Sequence, residues 1–376
     1  MKFERFELER IQSEWEHRVK YNLAESGVKA LRLCDIIDDA DFQRQLLKQS
    51  LGYPQTNGTI LLRELISSQY GDFTADHVTV TNGCAEANFI TLLGLQQQQD
   101  DRNEMVMMLP NYLQLWGLGN ALGYRMKPFY LHASETEWAI DFEELKQLVS
   151  RKTSLIAICN PNNPTGAVMN TDTLKAIAEL AEDVNAWILS DEVYQGAELN
   201  GPITPSMFEF YDQTLVTCGL SKAYGLPGLR IGWVISTNSE FIYDLWSLTD
   251  YTTIAPSLLS DMVATIALQP ANRKKILDRT QKILRKNWSV VNQWLKDHQV
   301  LFECIPPKAS AICLPRYHAP INSVELAHRL IQEKSVLISP GDHFQMPNHL
   351  RIGFGYNGDK LVTGLNLISE LLKEIN

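Results

Sequence analysis

Short apolar runs alternate with amphipathic stretches from about residue 78 onward. The runs fall at residues 77–81, 105–109, 124–131, 155–159, 187–189, 215–218 and 231–235. Between them lie helix-period segments such as residues 173–184, which place Leu174, Ile177, Ala178, Ala181 and Val184 on one face. Near-continuous apolar strands separated by helices predict an α/β fold: a mostly parallel sheet covered by helices on both faces. Before this region, Phe6, Ile11, Trp15 and Val19 recur at near-helical spacing and predict an amphipathic helix laid on something larger. After about residue 270 the pattern becomes helical and basic through Arg285 and Lys286. Short strands then follow near residues 300–304, 310–314 and 350–354, as in a smaller α+β domain. The expected division is an N-terminal arm at 1–45 that joins the small domain, a large domain at 46–270 and a small C-terminal domain at 271–376. The polar run at residues 96–99 carries no evident role, and no internal repeat or low-complexity linker interrupts the chain.

Composition narrows the classes. A chain of 376 residues is long enough for a large core in two parts. The formal charge of -10 argues against nonspecific affinity for nucleic acid or an anionic membrane, so an anionic ligand must be held by local donors. Six scattered cysteines without CxxC spacing predict neither a zinc cluster nor a disulfide framework, which points to a reducing cytoplasm. The eight histidines show no HExxH spacing, so no metal site is expected. The first residues lack a signal-peptide apolar core, and no apolar run is long enough to cross a bilayer, so a soluble protein is expected.

The polar residues of interest follow predicted strand ends. Gly83, Cys84 and Ala85 follow the first run, Tyr112 the second, Asn163 the fourth, Asp191 and Tyr194 the fifth, and Lys222 the sixth. Ligands of open α/β sheets bind beyond the carboxyl ends of the strands, so these dispersed positions are expected to converge on one crevice. Lys222 supplies an amine able to bond covalently to an aldehyde, and Arg230, eight positions later, supplies a planar fork for a phosphate. The predicted helix that starts at Gly83 offers its first backbone N–H groups to the same anion. Taken singly, Lys222 also reads as a solvated lysine, Asp191 as a helix cap or ion-pair partner, Asn163 as a turn residue and Arg351 as a surface charge. Tyr112 also reads as core, Tyr53 as a turn aromatic and Cys84 as a small residue at a helix start. Their joint order along the chain is what carries the chemistry.

Four segments, NPNNPTG at 160–166, SDEVY at 190–194, SKAYGLPGLR at 221–230 and HLRIGFG at 349–355, resemble the class I/II aminotransferases of the aspartate aminotransferase fold. The resemblance implies pyridoxal 5'-phosphate (PLP) bound as a Schiff base to Lys222, which then moves the substrate α-proton. It implies Asp191 at the pyridine nitrogen, Asn163 and Tyr194 at the ring 3'-oxygen, and Tyr112 stacked on the ring. Gly83, Cys84, Ala85, Ser221 and Arg230 are implied at the phosphate, with Tyr53 reaching the phosphate of a neighbouring subunit in a homodimer. Arg351, with Asn163, is implied as the clamp for the substrate α-carboxylate. The implied reaction moves the amino group of an L-amino acid to a 2-oxo acid.

The chain departs from the family at Gly219, where a Ser or Thr usually binds phosphate, and at Ala85, where many members have a hydroxyl. Its Ser26, Gly27 and Val28 also depart from the usual N-terminal loop and are similar to a segment of some antibiotic-pathway PLP cyclases, capreomycidine synthase among them. A lyase, cyclase or oxidase acting on an amino acid with the same residues is therefore the alternative function. A PLP-binding regulatory domain is a further alternative, opposed by the acidic charge and by the lack of a helix-turn-helix in the roughly 50 residues before Tyr53.

Overall fold

The computed structural model describes residues 2–98, 101–356 and 358–375; Gln99, the end of the polar run, lies outside the described residues. An eight-stranded sheet runs in the order Val78–Thr81, Gly232–Ser236, Thr214–Gly219, Trp187–Asp191, Thr153–Cys159, Glu104–Leu109, Arg125–Ala133 and Trp138–Ile140. Only Gly232–Ser236 and the edge strand Trp138–Ile140 run against the rest.

The central strands read as unbroken apolar runs because both of their faces are covered. In Glu104–Leu109 every residue is buried. Met105, Met107 and Leu109 pack with Ile90 and Leu92 of helix Cys84–Gln97 and with Phe241 and Leu245 of helix Ser239–Thr249. Val106 and Met108 face the opposite layer, with Leu145 of helix Phe142–Leu148 and Leu174 and Ile177 of helix Thr171–Asp183. One strand thus serves two cores, as the pleat requires.

The last 100 residues build around helix Pro270–Asp297 and a three-stranded antiparallel sheet of Ile312–Cys313, Leu350–Gly353 and Ser339–Pro340. The N-terminal segment joins this part: Tyr21–Asn22 pairs in parallel with Val336–Leu337, and the Gly353 amide donates to the Leu23 carbonyl at 2.7 Å. The N-terminal helix spans Glu7–Trp15, shorter than the spacing of Phe6 to Val19 implied, because the chain must extend again to reach the strand at Tyr21. Among the described residues no helix is long and apolar enough to cross a membrane.

Candidate active site

Parallel pairing puts several strand ends side by side. Asp191 is the last residue of its strand, in register with Cys159 on one side and Thr217 on the other. The sequence reading ended this strand at residue 189 and placed Asp191 in the following loop. Its polar last residues are instead carried by the ladder and buried. The Asp191 carboxylate is 7% exposed. It accepts from the Val193 amide at 3.1 Å and the Asn88 side chain at 3.4 Å, with the Cys84 thiol at 3.8 Å. Among the described residues no cation lies within ion-pair distance, and burial pushes its pKa up despite these donors. Asn88 is aimed by the Thr217 hydroxyl, which donates to Asn88 Oδ1 at 2.7 Å and leaves the amide nitrogen for Asp191.

Lys222 lies three residues beyond strand Thr214–Gly219, and its Nζ stands 3.4 Å from Glu25 Oε1. Glu25 is held from the other side by the Gly27 amide at 2.9 Å. Burial pushes the Lys222 ammonium down, but Glu25 and Tyr194 outweigh it and the net shift is upward. The same lysine, against burial, draws Glu25 below the usual carboxylate range.

Helix Cys84–Gln97 starts at Gly83 with no side chain capping it. Gly83 has φ +85°, and a Cβ there would sit 2.4 Å from Arg230 Nη2. Among the described residues Arg230 donates to two carbonyl oxygens, of Pro227 at 3.2 Å and Asn82 at 3.4 Å. The helix start and Arg230 thus present N–H donors side by side, with no carboxylate on Arg230 among the described residues. The glycine at 219 has a local reason: it pairs with Gly232 across the ladder, and a Cβ on Gly219 would meet the Ile231 carbonyl oxygen at 2.9 Å. Gly232 is tighter still, since its Cβ would lie 2.4 Å from the Cys84 nitrogen. The two strands press against the helix start, and no hydroxyl fits there. Ser221 and Ala85 line the same cavity. Burial holds the Cys84 thiol well above its usual pKa, so it stays protonated.

Arg351 closes the opposite end. It is 1% exposed, donates through Nη1 to Asn163 Oδ1 at 3.0 Å, and through Nη2 to the Ala24 carbonyl at 2.6 Å and Ser339 Oγ at 3.0 Å. Among the described residues its Nε has no partner, and the buried Tyr194 hydroxyl stands beside Ser26. The Tyr112 hydroxyl donates to Glu9 Oε1 at 2.7 Å, and its ring lies 4.9 Å from that of Phe6.

Lys222, Asp191, Asn163, Tyr194, Tyr112, Cys84, Ala85, Ser221, Arg230 and Arg351 line one cavity of about 280 Å³, with Gly83 just behind its wall at the helix start. Tyr53 does not: it is 83% exposed and lines a separate groove with Pro256 and Leu259. The sequence reading missed Glu9, Glu25 and Asn88. Glu25 directly precedes the noted Ser26, Gly27, Val28 departure, which was the signal available for it.

The model of the family "Aminotransferase class I and II" matches residues 26–365. A PLP-dependent aminotransferase from Streptococcus suis has a crystal structure that superposes with a TM-score of 0.92 at 31% identity, covering 100% of this chain and 99% of that one. Capreomycidine synthase of Streptomyces vinaceus is 29% identical over 83% of this chain and 78% of its own length. The aspartate aminotransferase of Thermotoga maritima is 27% identical over 88% and 85% respectively. The sheet, the cavity at its strand ends and these likenesses make the chain a member of the class I and II aminotransferases, the PLP-dependent transaminases of the aspartate aminotransferase fold.

Proposed function

We propose that this cavity transfers the amino group of an L-amino acid to a 2-oxo acid, with PLP held covalently by Lys222. The observation that carries the reading is the convergence of Lys222, Asp191, Asn163, Arg230 and Arg351, from separate segments, on one cavity. Its unmet polar groups fit the cofactor and its substrate. Among the described residues the buried Asp191 carboxylate has no cation at ion-pair distance, the helix start beside Arg230 has no side-chain cap, and Arg351 Nε has no acceptor.

When bound, PLP supplies an aldehyde for the substrate amine and a ring that accepts the electron pair left on Cα. Asp191 holds the proton on the ring nitrogen, which offsets the burial of its own charge. Asn163 gives Oδ1 to Arg351, so its amide nitrogen is free to donate to the ring oxygen beside Tyr194. Tyr112 covers a ring face, its hydroxyl tethered to Glu9. Arg230 and the amides at Gly83 to Ala85 hold the phosphate, with Ser221 beside them. Arg351 would orient the α-carboxylate by its charge and its unpartnered Nε. Lys222 would hold the aldehyde carbon until the substrate amine displaced it, and its freed Nζ would then be the base beside the substrate Cα proton.

The exposure of Tyr53 beside exposed Leu51 and Leu259 supports a homodimer in which Tyr53 reaches the phosphate site of a second copy. Cysteines free of disulfides, including exposed Cys34, support a cytoplasmic location.

A second reading keeps every residue and changes the product. Ser26, from the atypical loop, is buried at the cavity wall, and capreomycidine synthase is among the similar proteins. One experiment separates the two: mix holoenzyme with amino acids and no acceptor. Release of one equivalent of 2-oxo acid per subunit supports transamination. Repeated turnover to another product without an acceptor supports the second reading and overturns the first.

A further inference from the structure

Beyond the groups already assigned, two carboxylates line the cavity, Glu9 and Glu25. Glu25 accepts from the Gly27 amide at 2.9 Å and lies beside the Lys222 nitrogen at 3.4 Å, so it belongs to the lysine end of the cavity. Glu9 differs: its Oε1 accepts the Tyr112 hydroxyl, and among the described residues no lysine, arginine or histidine stands within ion-pair distance of it. Tyr112 cannot neutralise it, because burial and Glu9 itself push the phenol well above its usual pKa and keep its proton in place. At hydrogen-bond distance Glu9 thus meets a phenol and no cation among the described residues.

The cations of the cavity are meanwhile committed. Lys222 takes the cofactor aldehyde, Arg230 the phosphate and Arg351 the α-carboxylate. The unpartnered Nε of Arg351, on a side chain 1% exposed, marks independently where an anionic end of the substrate sits. None of the described cations lining the cavity is left for a second substrate carboxylate. Glu9 stands on helix Glu7–Trp15, which covers another wall of the same space.

We propose that the substrate amino acid carries a cationic side chain, an ammonium or a guanidinium, and that Glu9 reads it. This rests on the aminotransferase reading and adds a specificity to it. Aspartate, named for the Thermotoga maritima relative, would bring a like charge to this wall.

The test titrates holoenzyme with L-lysine, L-ornithine, L-arginine, L-norleucine and L-aspartate, following the cofactor absorbance, and repeats this with Glu9→Gln. Glutamine keeps an acceptor for Tyr112, so the wall is retained, and an unchanged melting temperature confirms it. At least one cationic amino acid should bind about tenfold or more tighter than norleucine, the scale of a partly screened ion pair, with aspartate weakest. In Glu9→Gln that ratio should fall to about one. Norleucine or aspartate binding as tightly as every cationic amino acid overturns the specificity while leaving the aminotransferase reading intact. A preference that survives Glu9→Gln removes Glu9 as the reader. If no amino acid of any charge binds, the aminotransferase reading fails and takes this one with it.

Discussion

Arg351 donates to Asn163 Oδ1 at 3.0 Å across 188 positions of sequence, joining strand Leu350–Gly353 to the turn that follows strand Thr153–Cys159. One guanidinium thus fastens the C-terminal part to a loop at the cavity wall, while its Nε has no partner among the described residues. The proposed function puts substrate recognition on Arg351 and cofactor recognition on Arg230, so equivalent substitutions should fail differently.

For Arg351→Lys we expect the yellow colour and the covalent cofactor to persist while amino-acid affinity weakens by about 2 to 3 kcal/mol, the order of a lost bidentate charged pair. For Arg230→Lys we expect PLP to leak on dialysis and to return with excess cofactor. Spectral titration beside a PLP-retention assay decides it. Loss of PLP from Arg351→Lys with normal amino-acid binding would move the carboxylate clamp elsewhere.

Borohydride treatment of the holoenzyme should fix the cofactor to the peptide that contains Lys222, as mass spectrometry would show. A label on another lysine would end that assignment. Asp191→Ala should keep the fold, since the carboxylate is already strained by burial, yet turnover should fall by several orders of magnitude as the ring nitrogen loses its proton. Near-normal turnover would remove Asp191 from the ring nitrogen.

Burial decides what could be read from the sequence. Strands covered on both faces, such as Glu104–Leu109 and Thr214–Gly219, announce themselves as apolar runs. The edge strand Trp138–Ile140 is three residues long and half exposed, so neither length nor alternation marks it. Lys222, Asp191 and Asn163 were legible because they sit in local motifs at strand ends. Glu9 was not: on an amphipathic helix a glutamate reads as the solvent face, and only the packing of that helix against Tyr112 turns it inward. Asn88 was hidden for the same reason, its role depending on Thr217 of a strand 129 positions away.

The missing hydroxyl at position 219 can be tested directly. If the glycine were a mere loss, Gly219→Ser would restore a phosphate contact and tighten PLP. The contacts argue the reverse: its Cβ would meet the Ile231 carbonyl oxygen at 2.9 Å and the Gly232 Cα at 3.1 Å, and backbone atoms in a ladder cannot yield cheaply. We expect Gly219→Ser to lower the melting temperature by several degrees, the result of roughly 1 to 3 kcal/mol of overpacking, and to bind PLP no better than the parent. Tighter PLP with unchanged stability would show that the strands separate more easily than this packing allows.

Glu192 gives the chain a pH signature independent of catalysis. Its Oε1 accepts from Ser190 at 3.0 Å, Ser206 at 3.1 Å and the Met207 amide at 2.9 Å, while Oε2 is buried with no partner among the described residues. Burial outweighs these donors and pushes its pKa from 4.5 up to about 7. A carboxyl raised on folding stabilises the folded chain while protonated. That contribution is complete below 4.5 and is lost as pH rises from there to about 7, at a cost of roughly 3 kcal/mol to the ionised form. Glu192→Gln keeps an oxygen for the three donors and removes the titration. The variant should therefore gain stability relative to the parent as pH rises from 5 to 7.5, measured as the difference in melting temperature at each pH so that groups common to both proteins cancel. A difference that stays flat, or that shrinks with rising pH, would mean that Glu192 is ionised throughout and is paired in a way these contacts do not provide.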